Sequence, residues 1–405
     1  MSFAWQLPSR QLGKVSLCEQ GLLHPSAASY RLFNFDALAK YETPLRVLFC
    51  GTDEFSVSSL QALHQYAESS EGHIASIDVA TKTDKRVGRG YKQIASPAIK
   101  SAAQDLGLQV HQFDTFTGWS LPSSTQINMI MAVSFGLKVP SRILSSCEFG
   151  GLNVHPSLLP DLKGASPIES AIIHGYRATG VTTQTLHPTR FDEGRILAQT
   201  SPLTIPEPDH ITAKQLRRIL APIGARQLVQ VIQNRIFLGK PDYEVKSDLN
   251  AVLRHAPRLT PAARQVNFQT MSATRITRLN RAIPKLWYVA RRSEDDKNGI
   301  RVILEDDMRL AQPSDLAGLS MEELDKMEIG TPFCFVATRQ DMGLSKAPLL
   351  FKTIENEILL VPEVTVAGGR RTSGSAAAAN AKLIAELSEG GSVKIGRLHS
   401  PLFND

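Results

Sequence analysis

Short apolar runs alternate with helical segments in the first half of the chain, and this alternation restricts the fold more than any other feature. Leu45–Cys50 (LRVLFC) and Ile127–Val133 (INMIMAV) are apolar stretches of strand length, as expected for parallel strands buried on both faces. Asp53–His64 shows helical spacing, and Ile211–Arg235 has the pattern of a long amphipathic helix. We therefore predict a mostly parallel, doubly wound α/β sheet with helices on both faces.

The overall composition is that of an ordinary globular protein. Of the 405 residues, 42% are hydrophobic and 21% are charged, which allows two or three domains with well-filled cores. A net charge of +6 permits an anionic partner such as nucleic acid without requiring one. No apolar run approaches the roughly 18 residues of a membrane span, so we expect no membrane association. The scattered cysteines predict neither a disulfide framework nor a metal site; they are Cys18, Cys50, Cys147 and Cys334.

The pattern changes at both ends of this first region. Residues 1–40 are basic, poor in acidic residues and contain several serines, which predicts a mitochondrial transit peptide, with a disordered extension as the alternative. The first domain is predicted at residues 45–237, and residues 238–248 are predicted to be a linker. Residues 249–405 contain short β-type runs such as Gly299–Leu304, which predict a small barrel or sandwich.

The stretch Gly151–Pro160 (GLNVHPSLLP) carries the first candidate for chemistry. Asn153 and His155 are two residues apart on a predicted strand, so both side chains point to the same face. An amide can bind a developing oxyanion, and an imidazole can donate or accept a proton near neutral pH. The loop Ser157–Pro160 follows at the strand end, where open α/β sheets bind their ligands. Taken alone, an Asn-x-His pair is weak evidence for catalysis.

Asp192 is the candidate partner of His155. It lies on the turn Arg190–Gly194 that follows the predicted strand Val181–Leu186. A carboxylate at this place could orient the imidazole and stabilise its charged form. The alternative is an aspartate that the turn favours for local hydrogen bonding.

Two basic segments are candidates for phosphate contacts. The polar loop Thr81–Ala95 (TKTDKRVGRGYKQIA) is long and basic for a connection in such a fold. It carries Lys82, Lys85, Arg86, Gly88, Arg89, Gly90 and Lys92. Basic side chains on a flexible loop suit a segment that orders on phosphate, and a solvated surface loop is the alternative. Arg370 and Arg371 form a second candidate, with a solvated charge pair as the alternative.

Several segments resemble, in chain order, the methionyl-tRNA formyltransferase family. The resemblance extends over residues 45–390 and is most specific in its central block. The matching segments are Leu45–Phe55 (LRVLFCGTDEF), Val87–Lys100 (VGRGYKQIASPAIK), Ala132–Pro140 (AVSFGLKVP), Gly151–Ile168 (GLNVHPSLLPDLKGASPI), Phe191–Leu197 (FDEGRIL), Leu259–Phe268 (LTPAARQVNF) and Leu360–Gly369.

This resemblance implies a fold and a reaction. The fold would be a Rossmann-like catalytic domain at 45–237, followed at 249–405 by an OB-like tRNA-binding barrel. The reaction would transfer the formyl group of the co-substrate 10-formyltetrahydrofolate to the α-amino group of methionyl initiator tRNA, without a metal. Asn153, His155 and Asp192 match the family's catalytic residues. The resemblance also implies a monomer in the mitochondrial matrix.

The resemblance further assigns binding residues. Folate contacts are expected from two loops, at Phe135, Gly136, Leu137, Ser157, Leu158, Leu159 and Pro160. Arg89 matches the arginine of the loop that reaches the tRNA acceptor end. Together with Arg86, Lys92, Arg370 and Arg371 it forms the predicted set of tRNA contacts.

Three positions depart from the family pattern, and two other functions stay open. Asp161 and Leu162 stand where the family often has a basic and an aromatic residue, and Tyr91 stands where a lysine is frequent. We expect the first two to face the tRNA. A formyltransferase for a small amine, such as glycinamide ribonucleotide, would share the same catalytic residues but has no use for the basic loop or the long C-terminal region. A non-catalytic RNA- or folate-binding relative is the second alternative.

Overall fold

The computed structural model describes residues 43–69, 73–239, 252–290, 298–317, 319–325, 327–330, 332–333, 348–374 and 376–377. All of them belong to one compact unit. The predicted leader at 1–40 and nearly all of the predicted linker at 238–248 lie outside these ranges. The domain boundaries therefore stay predictions.

The secondary structure follows in chain order. The strands are β1 (Leu45–Gly51), β2 (Ile74–Thr81), β3 (Lys85–Val87), β4 (Gln93–Ala95), β5 (Gln109–Gln112), β6 (Met129–Val133), β7 (Gly151–His155), β8 (Ala178–Thr179), β9 (Thr182–Thr185), β10 (Ile196–Gln199), β11 (Leu203–Thr204), β12 (Trp287–Ala290), β13 (Ile300–Leu304), β14 (Arg309–Leu310), β15 (Pro332–Phe333), β16 (Leu349–Lys352), β17 (Ile358–Val361), β18 (Glu363–Val366) and β19 (Arg371–Ser373). The helices are α1 (Glu54–Ala67), α2 (Ala98–Asp105), α3 (Ser141–Leu144), α4 (Pro167–Ile173), α5 (Ala213–Gln233), α6 (Ala273–Ala282) and α7 (Met321–Asp325).

The first sheet has seven strands in the order β10-β9-β7-β6-β1-β2-β5. The five strands from β7 to β5 are parallel, and β9 and β10 are antiparallel to their neighbours. The chain leaves β1 for β2 on one side and later returns to β6 on the other. The carboxyl ends of β1, β6 and β7 therefore flank the crevice at which such sheets bind ligands. The predicted mostly parallel α/β sheet is confirmed.

Alternate residues of β1 point into two separate cores. Val47 and Phe49 belong to the core beneath α1 and α5, whereas Leu48 and Cys50 belong to the core on the opposite face. Because side chains of a strand alternate between faces, an uninterrupted apolar run fits a sheet that is covered on both sides. Asp53 ends the turn after β1 and caps α1, since its carboxylate accepts hydrogen bonds from the first-turn amides.

The basic segment Thr81–Ala95 differs from its prediction as a flexible loop. Lys85–Val87 pairs with Gln93–Ala95 in an antiparallel hairpin, and a short 3-10 turn at Arg89–Tyr91 connects the two strands. Gly88 lies at the start of this turn with φ of +79°, a conformation that glycine adopts at little cost. The side chains of both strands of this hairpin are exposed.

The C-terminal region contains two four-stranded antiparallel sheets, β12-β13-β18-β19 and β14-β17-β16-β15. Both sheets contribute to one apolar core. Phe268 and Phe351 stack at its centre with ring centroids 4.5 Å apart, and Tyr288 meets Phe351 edge-on. The prediction of short β-strands in the C-terminal region is confirmed, whereas their assignment to a separate domain stays a prediction. None of the helices in the described ranges combines the length and apolar character that a membrane crossing requires.

Candidate active site

Asn153 and His155 lie at the carboxyl end of β7, as predicted, on one face of the strand. His155 is only 5% exposed. The amide nitrogen of Asn153 donates to the carbonyl of Ala132 on β6 at 3.0 Å. Its amide oxygen accepts from Nε2 of Gln184 at 3.1 Å. The Asn153 amide is therefore held from both sides.

Gln184 is the site residue that the sequence did not reveal. It lies on β9 directly opposite Asn153 and is 1% exposed. Its Nε2 also donates to Oδ1 of Asp192 at 3.2 Å, and its Oε1 accepts from the amide of Gly194 at 3.1 Å. Because a backbone N–H can only donate, this last bond distinguishes the oxygen of Gln184 from its nitrogen.

That assignment also orients the amide of Asn153. Since Nε2 of Gln184 faces Asn153, the oxygen of Asn153 must face Gln184, and its NH2 group must face the other way. The Ala132 carbonyl uses one of the two hydrogens of this NH2 group. The second hydrogen can bind an oxyanion in front of the strand end. A polar residue within the β-branched run VTTQTL was the one available sequence signal for Gln184.

The two nitrogens of His155 have different surroundings. Nε2 lies 2.9 Å from the carbonyl oxygen of Leu162, which can only accept, so Nε2 carries a proton. Nδ1 lies 3.5 Å from Oδ1 of Asp192, which is longer than a normal hydrogen bond. Asp192 itself accepts from the amide of Gly164 at 2.8 Å. The structure thus brings together the three residues predicted as catalytic.

The loop predicted to bind folate follows β7 directly. The hydroxyl of Thr182 donates to the carbonyl of Ser157 at 2.7 Å and accepts from the amide of Leu159 at 3.1 Å, so the loop is fixed to β9. The side chains of Ser157 and Leu159 are buried, whereas Leu158 and Pro160 are half-buried. A ligand could therefore meet the first two only through their backbone.

The second predicted folate loop follows β6, the neighbour of β7. Phe135 packs in the core against Phe113 and Phe116, so its side chain is structural. Gly136 is exposed and has φ of +69°. Leu137 lines a cavity of about 610 Å³ beside the loop. The three residues predicted as catalytic are not among those that line this cavity. The folate assignments of both loops stay predictions.

The predicted tRNA contacts lie in two places. Arg86 and Lys92 are exposed on the hairpin, and the backbone of Arg89 forms its turn. In the C-terminal region Arg370 is exposed. Arg371 is held by the carboxylates of Glu363 and Asp307. Its charge is therefore compensated within the protein, which favours a structural role for Arg371 over a phosphate contact.

Other reactive groups are scarce in the described part of the chain. No group of three or more histidine, cysteine or acidic side chains there has the arrangement of a metal site. Cys50 and Cys147 are free and buried. Burial raises the pKa of the Cys147 thiol to about 11, so this thiol stays protonated at neutral pH and is a poor nucleophile.

The sequence is similar to those of known formyl transferases. Residues 45–232 match the family model described as formyl transferase. The chain is 34% identical over 268 residues to the mitochondrial methionyl-tRNA formyltransferase of Saccharomyces cerevisiae, covering 58% of this chain and 66% of that protein. It is 31% identical over 254 residues to the mitochondrial human enzyme of the same name, covering 61% of this chain and 59% of that protein.

The match thus spans less than two thirds of the length of these two mitochondrial relatives. A bacterial methionyl-tRNA formyltransferase, from Methylobacillus flagellatus, is matched over more of its length. It is 30% identical over 228 residues, which cover 56% of this chain and 70% of that protein. The family resemblance of the sequence motifs is confirmed, and the chain belongs to the methionyl-tRNA formyltransferase family.

Proposed function

We propose that this protein transfers a formyl group from 10-formyltetrahydrofolate to the α-amino group of methionyl initiator tRNA. The observation that carries the proposal is the arrangement at the end of β7. There the Asn153 amide is oriented by Gln184, and the His155 imidazole lies beside the Asp192 carboxylate. The names of the relatives support the same reaction.

The reaction places a specific demand on these groups. The amine nitrogen forms a bond to the formyl carbon, and the electron pair of the carbonyl moves to its oxygen. Asn153 donates a hydrogen bond to this oxyanion, and such a preorganised donor contributes about 10²–10³-fold to turnover. When the oxyanion collapses, the bond from the formyl carbon to the folate nitrogen breaks. The formyl group stays on the amine of the acceptor, and the folate, which includes this nitrogen, is the leaving group.

Two protons must move during this transfer. The amine loses one as the new bond forms, and the leaving folate nitrogen gains one. Nε2 of His155 is already bonded to the Leu162 carbonyl, so Nδ1 is the nitrogen that can exchange a proton. Asp192 lies next to Nδ1 and can accept the amine proton, directly or through water.

The acceptor is proposed to be a tRNA rather than a small amine. The exposed hairpin offers Arg86 and Lys92 to a phosphate backbone, and long-range attraction by such residues is typical of nucleic-acid binding. The two C-terminal sheets add a further β region beyond the first sheet, which a small amine would not need. We further propose that the protein acts in the mitochondrial matrix, for which the mitochondrial names of its relatives give general support, and that it acts as a monomer.

A transfer assay with three acceptors tests this proposal. The purified protein is given 10-formyltetrahydrofolate and either methionyl initiator tRNA, methionyl elongator tRNA or glycinamide ribonucleotide. We expect the highest kcat/KM with the initiator tRNA. Faster formylation of glycinamide ribonucleotide would establish the small-amine alternative, and tRNA binding without turnover would establish the non-catalytic one.

Substitutions in the site test the assigned roles. Asn153→Ala and His155→Ala should each lower turnover by about 10²–10³-fold, while tRNA binding persists. His73→Ala is the matched control, because His73 is an exposed histidine away from the β7 end. Near-normal transfer by the Asn153 or His155 variant would contradict the mechanism.

A further inference from the structure

A segment from the start of the C-terminal region lies against the loop that follows β7. We call residues 252–258 the docking segment and residues 156–166 the β7 loop. The amide of Leu162 donates to the carbonyl of Arg254 at 2.8 Å, and the amide of Ala256 donates to the carbonyl of Lys163 at 2.7 Å. Lys163 and His255 thereby form a parallel bridge. The two segments are paired like short neighbouring strands.

Side chains reinforce this pairing. The carboxylate of Asp161 accepts from the amide of Arg254 at 2.8 Å and from the hydroxyl of Tyr176 at 2.8 Å. Leu162 is 2% exposed and packs with Ala256, which is fully buried. The expectation that Asp161 and Leu162 face the tRNA is therefore wrong for Leu162, whose side chain is in a core. Asp161 uses both carboxylate oxygens within the protein.

Gly164 shows how close the contact is. A Cβ atom added at this position would lie 2.2 Å from the carbonyl oxygen of Ala256, far below a van der Waals distance. The backbone of Gly164 has φ of +127°, which a residue with a side chain rarely adopts. The close approach of the docking segment therefore requires glycine at this position.

The β7 loop also forms hydrogen bonds with two of the catalytic residues, His155 and Asp192. The carbonyl of Leu162 accepts from Nε2 of His155 at 2.9 Å, and the amide of Gly164 donates to Asp192 at 2.8 Å. Leu162 has φ of +56°, a left-handed conformation that costs a non-glycine residue free energy unless its surroundings hold it. The bond from its amide to Arg254 provides such a hold.

We propose that the docking segment is a positioning element of the active site. It pairs with the β7 loop and thereby places the Leu162 carbonyl that fixes the proton of His155 on Nε2. It also places the Gly164 amide that orients Asp192. The inference rests on the proposed function and deepens it: the catalytic residues lie on the first sheet and on a turn between two of its strands, but their orientation depends on a segment that follows the predicted linker.

Asp161 gives access to this contact without touching a catalytic residue. Asp161→Ala removes the two hydrogen bonds that the Asp161 carboxylate accepts from the Arg254 amide and the Tyr176 hydroxyl. Asp161→Asn is the matched control, because its oxygen can still accept from the Arg254 amide and its nitrogen can donate to the Tyr176 hydroxyl. Tyr176→Phe removes one of the two bonds and should give an intermediate result. All variants are compared in the full chain after circular dichroism has confirmed their folding.

Three measurements distinguish a role of the docking segment in positioning His155 from a general loss of protein stability. In Asp161→Ala we expect the Leu162 amide to exchange with deuterium about tenfold or more faster, since two hydrogen bonds that resist opening are removed. The kcat of formyl transfer should fall severalfold, with the KM for tRNA unchanged. The ¹⁵N signals of His155, assigned with His155→Gln, should change from a single Nε2–H form to a mixture. Asp161→Asn should restore all three readouts.

Specific results would overturn the proposal. Unchanged exchange at Leu162 and an unchanged His155 signal in Asp161→Ala would show that the docking segment positions nothing. An effect confined to the KM for tRNA would make Asp161 a tRNA contact instead. If the unmodified protein transfers no formyl group, the proposed function fails, whereas the exchange and ¹⁵N measurements still decide whether the docking segment orients His155.

Discussion

Substitutions at Gln184 test the geometry of the active site, because the side-chain amide of Gln184 fixes the orientation of the Asn153 amide. It donates to Asn153 and Asp192 and accepts from the amide of Gly194. Gln184→Glu keeps the shape and the acceptor for Gly194 but replaces the donating NH2 group with a second oxygen. Gln184→Met keeps much of the volume and removes all three bonds. The Glu variant therefore offers Asn153 an acceptor in place of a donor, whereas the Met variant offers it no hydrogen-bond partner.

The magnitudes follow from counting hydrogen bonds. If the Asn153 amide turned over in the unmodified protein, it would lose its bonds to Gln184 and to Ala132, at about 1 kcal/mol each. A difference of about 2 kcal/mol corresponds to a preference of roughly 30-fold for the observed orientation. In Gln184→Met the Ala132 bond alone remains, and a preference of about fivefold persists. Its loss of activity should therefore stay within about tenfold.

Gln184→Glu reverses the preference. The introduced carboxylate can accept from the turned Asn153 amide, and a hydrogen bond to a charged group contributes about 1.5–3 kcal/mol. This exceeds the roughly 1 kcal/mol of the Ala132 bond, so the amide turns over and presents its oxygen to the developing oxyanion. We expect turnover to fall by about 10²–10³-fold at pH 8, as when an oxyanion donor is removed.

The pH dependence identifies the cause. The introduced carboxylate would lie next to Asp192, and two carboxylates in contact hold a proton to higher pH than either alone. As the pH falls, the protonated side chain becomes a donor again, and the activity of Gln184→Glu relative to the unmodified protein should rise. Single-turnover transfer from pH 6 to 9 measures this ratio. Equal activities of the Glu and Met variants over the whole range would refute the reasoning.

Two further predictions concern stability and tRNA binding. Partial desolvation, with the nearby Arg254 and Arg275, lowers the pKa of His174, although this residue is exposed at the surface. Between this lowered pKa and the ordinary value near 6.5 the unfolded chain binds more protons, so stability rises slightly with pH. His174→Gln should flatten this rise, as measured by urea unfolding from pH 5 to 7.5; an unchanged slope would contradict it. Arg86→Ala and Lys92→Ala combined should weaken tRNA binding and reduce the slope of log K against log salt by about 0.7–0.9 for each phosphate that the hairpin no longer neutralises. An unchanged slope would show that the hairpin does not bind phosphate.

The sequence predicted those parts of the fold that depend on local patterns. Leu45–Cys50 lies on a central strand, and its alternate side chains enter two different cores. An uninterrupted apolar run is the sequence pattern that such a strand requires, so the strand could be predicted. Asn153 and His155 could be placed together because the period of a strand is two residues. Neither inference needed knowledge of which strands are neighbours.

The parts that were missed depend on pairing between distant segments or lack an apolar pattern. Gln184 faces Asn153 because β9 runs antiparallel to β7, and a strand pattern does not reveal its direction. Asp161 meets Arg254, which is 93 residues away, so no local signal marks this pairing. The paired strands Lys85–Val87 and Gln93–Ala95 are exposed on both faces, and an exposed hairpin has no hydrophobic alternation by which a sequence could show it.

The three residues proposed as catalytic do not define the chemistry of the site by themselves. A histidine with two equivalent nitrogens could act as a donor through either one. Here a backbone carbonyl, which cannot take up a proton, keeps the proton on Nε2 of His155, so that proton exchange is confined to Nδ1 beside Asp192. The carbonyl belongs to Leu162, whose own amide is bound by Arg254. In the proposed mechanism, the choice of the reacting nitrogen therefore depends on the chain that follows the first sheet. Without the docking segment, the protein would keep the three residues proposed as catalytic but would lose the bonds that place the Leu162 carbonyl against Nε2.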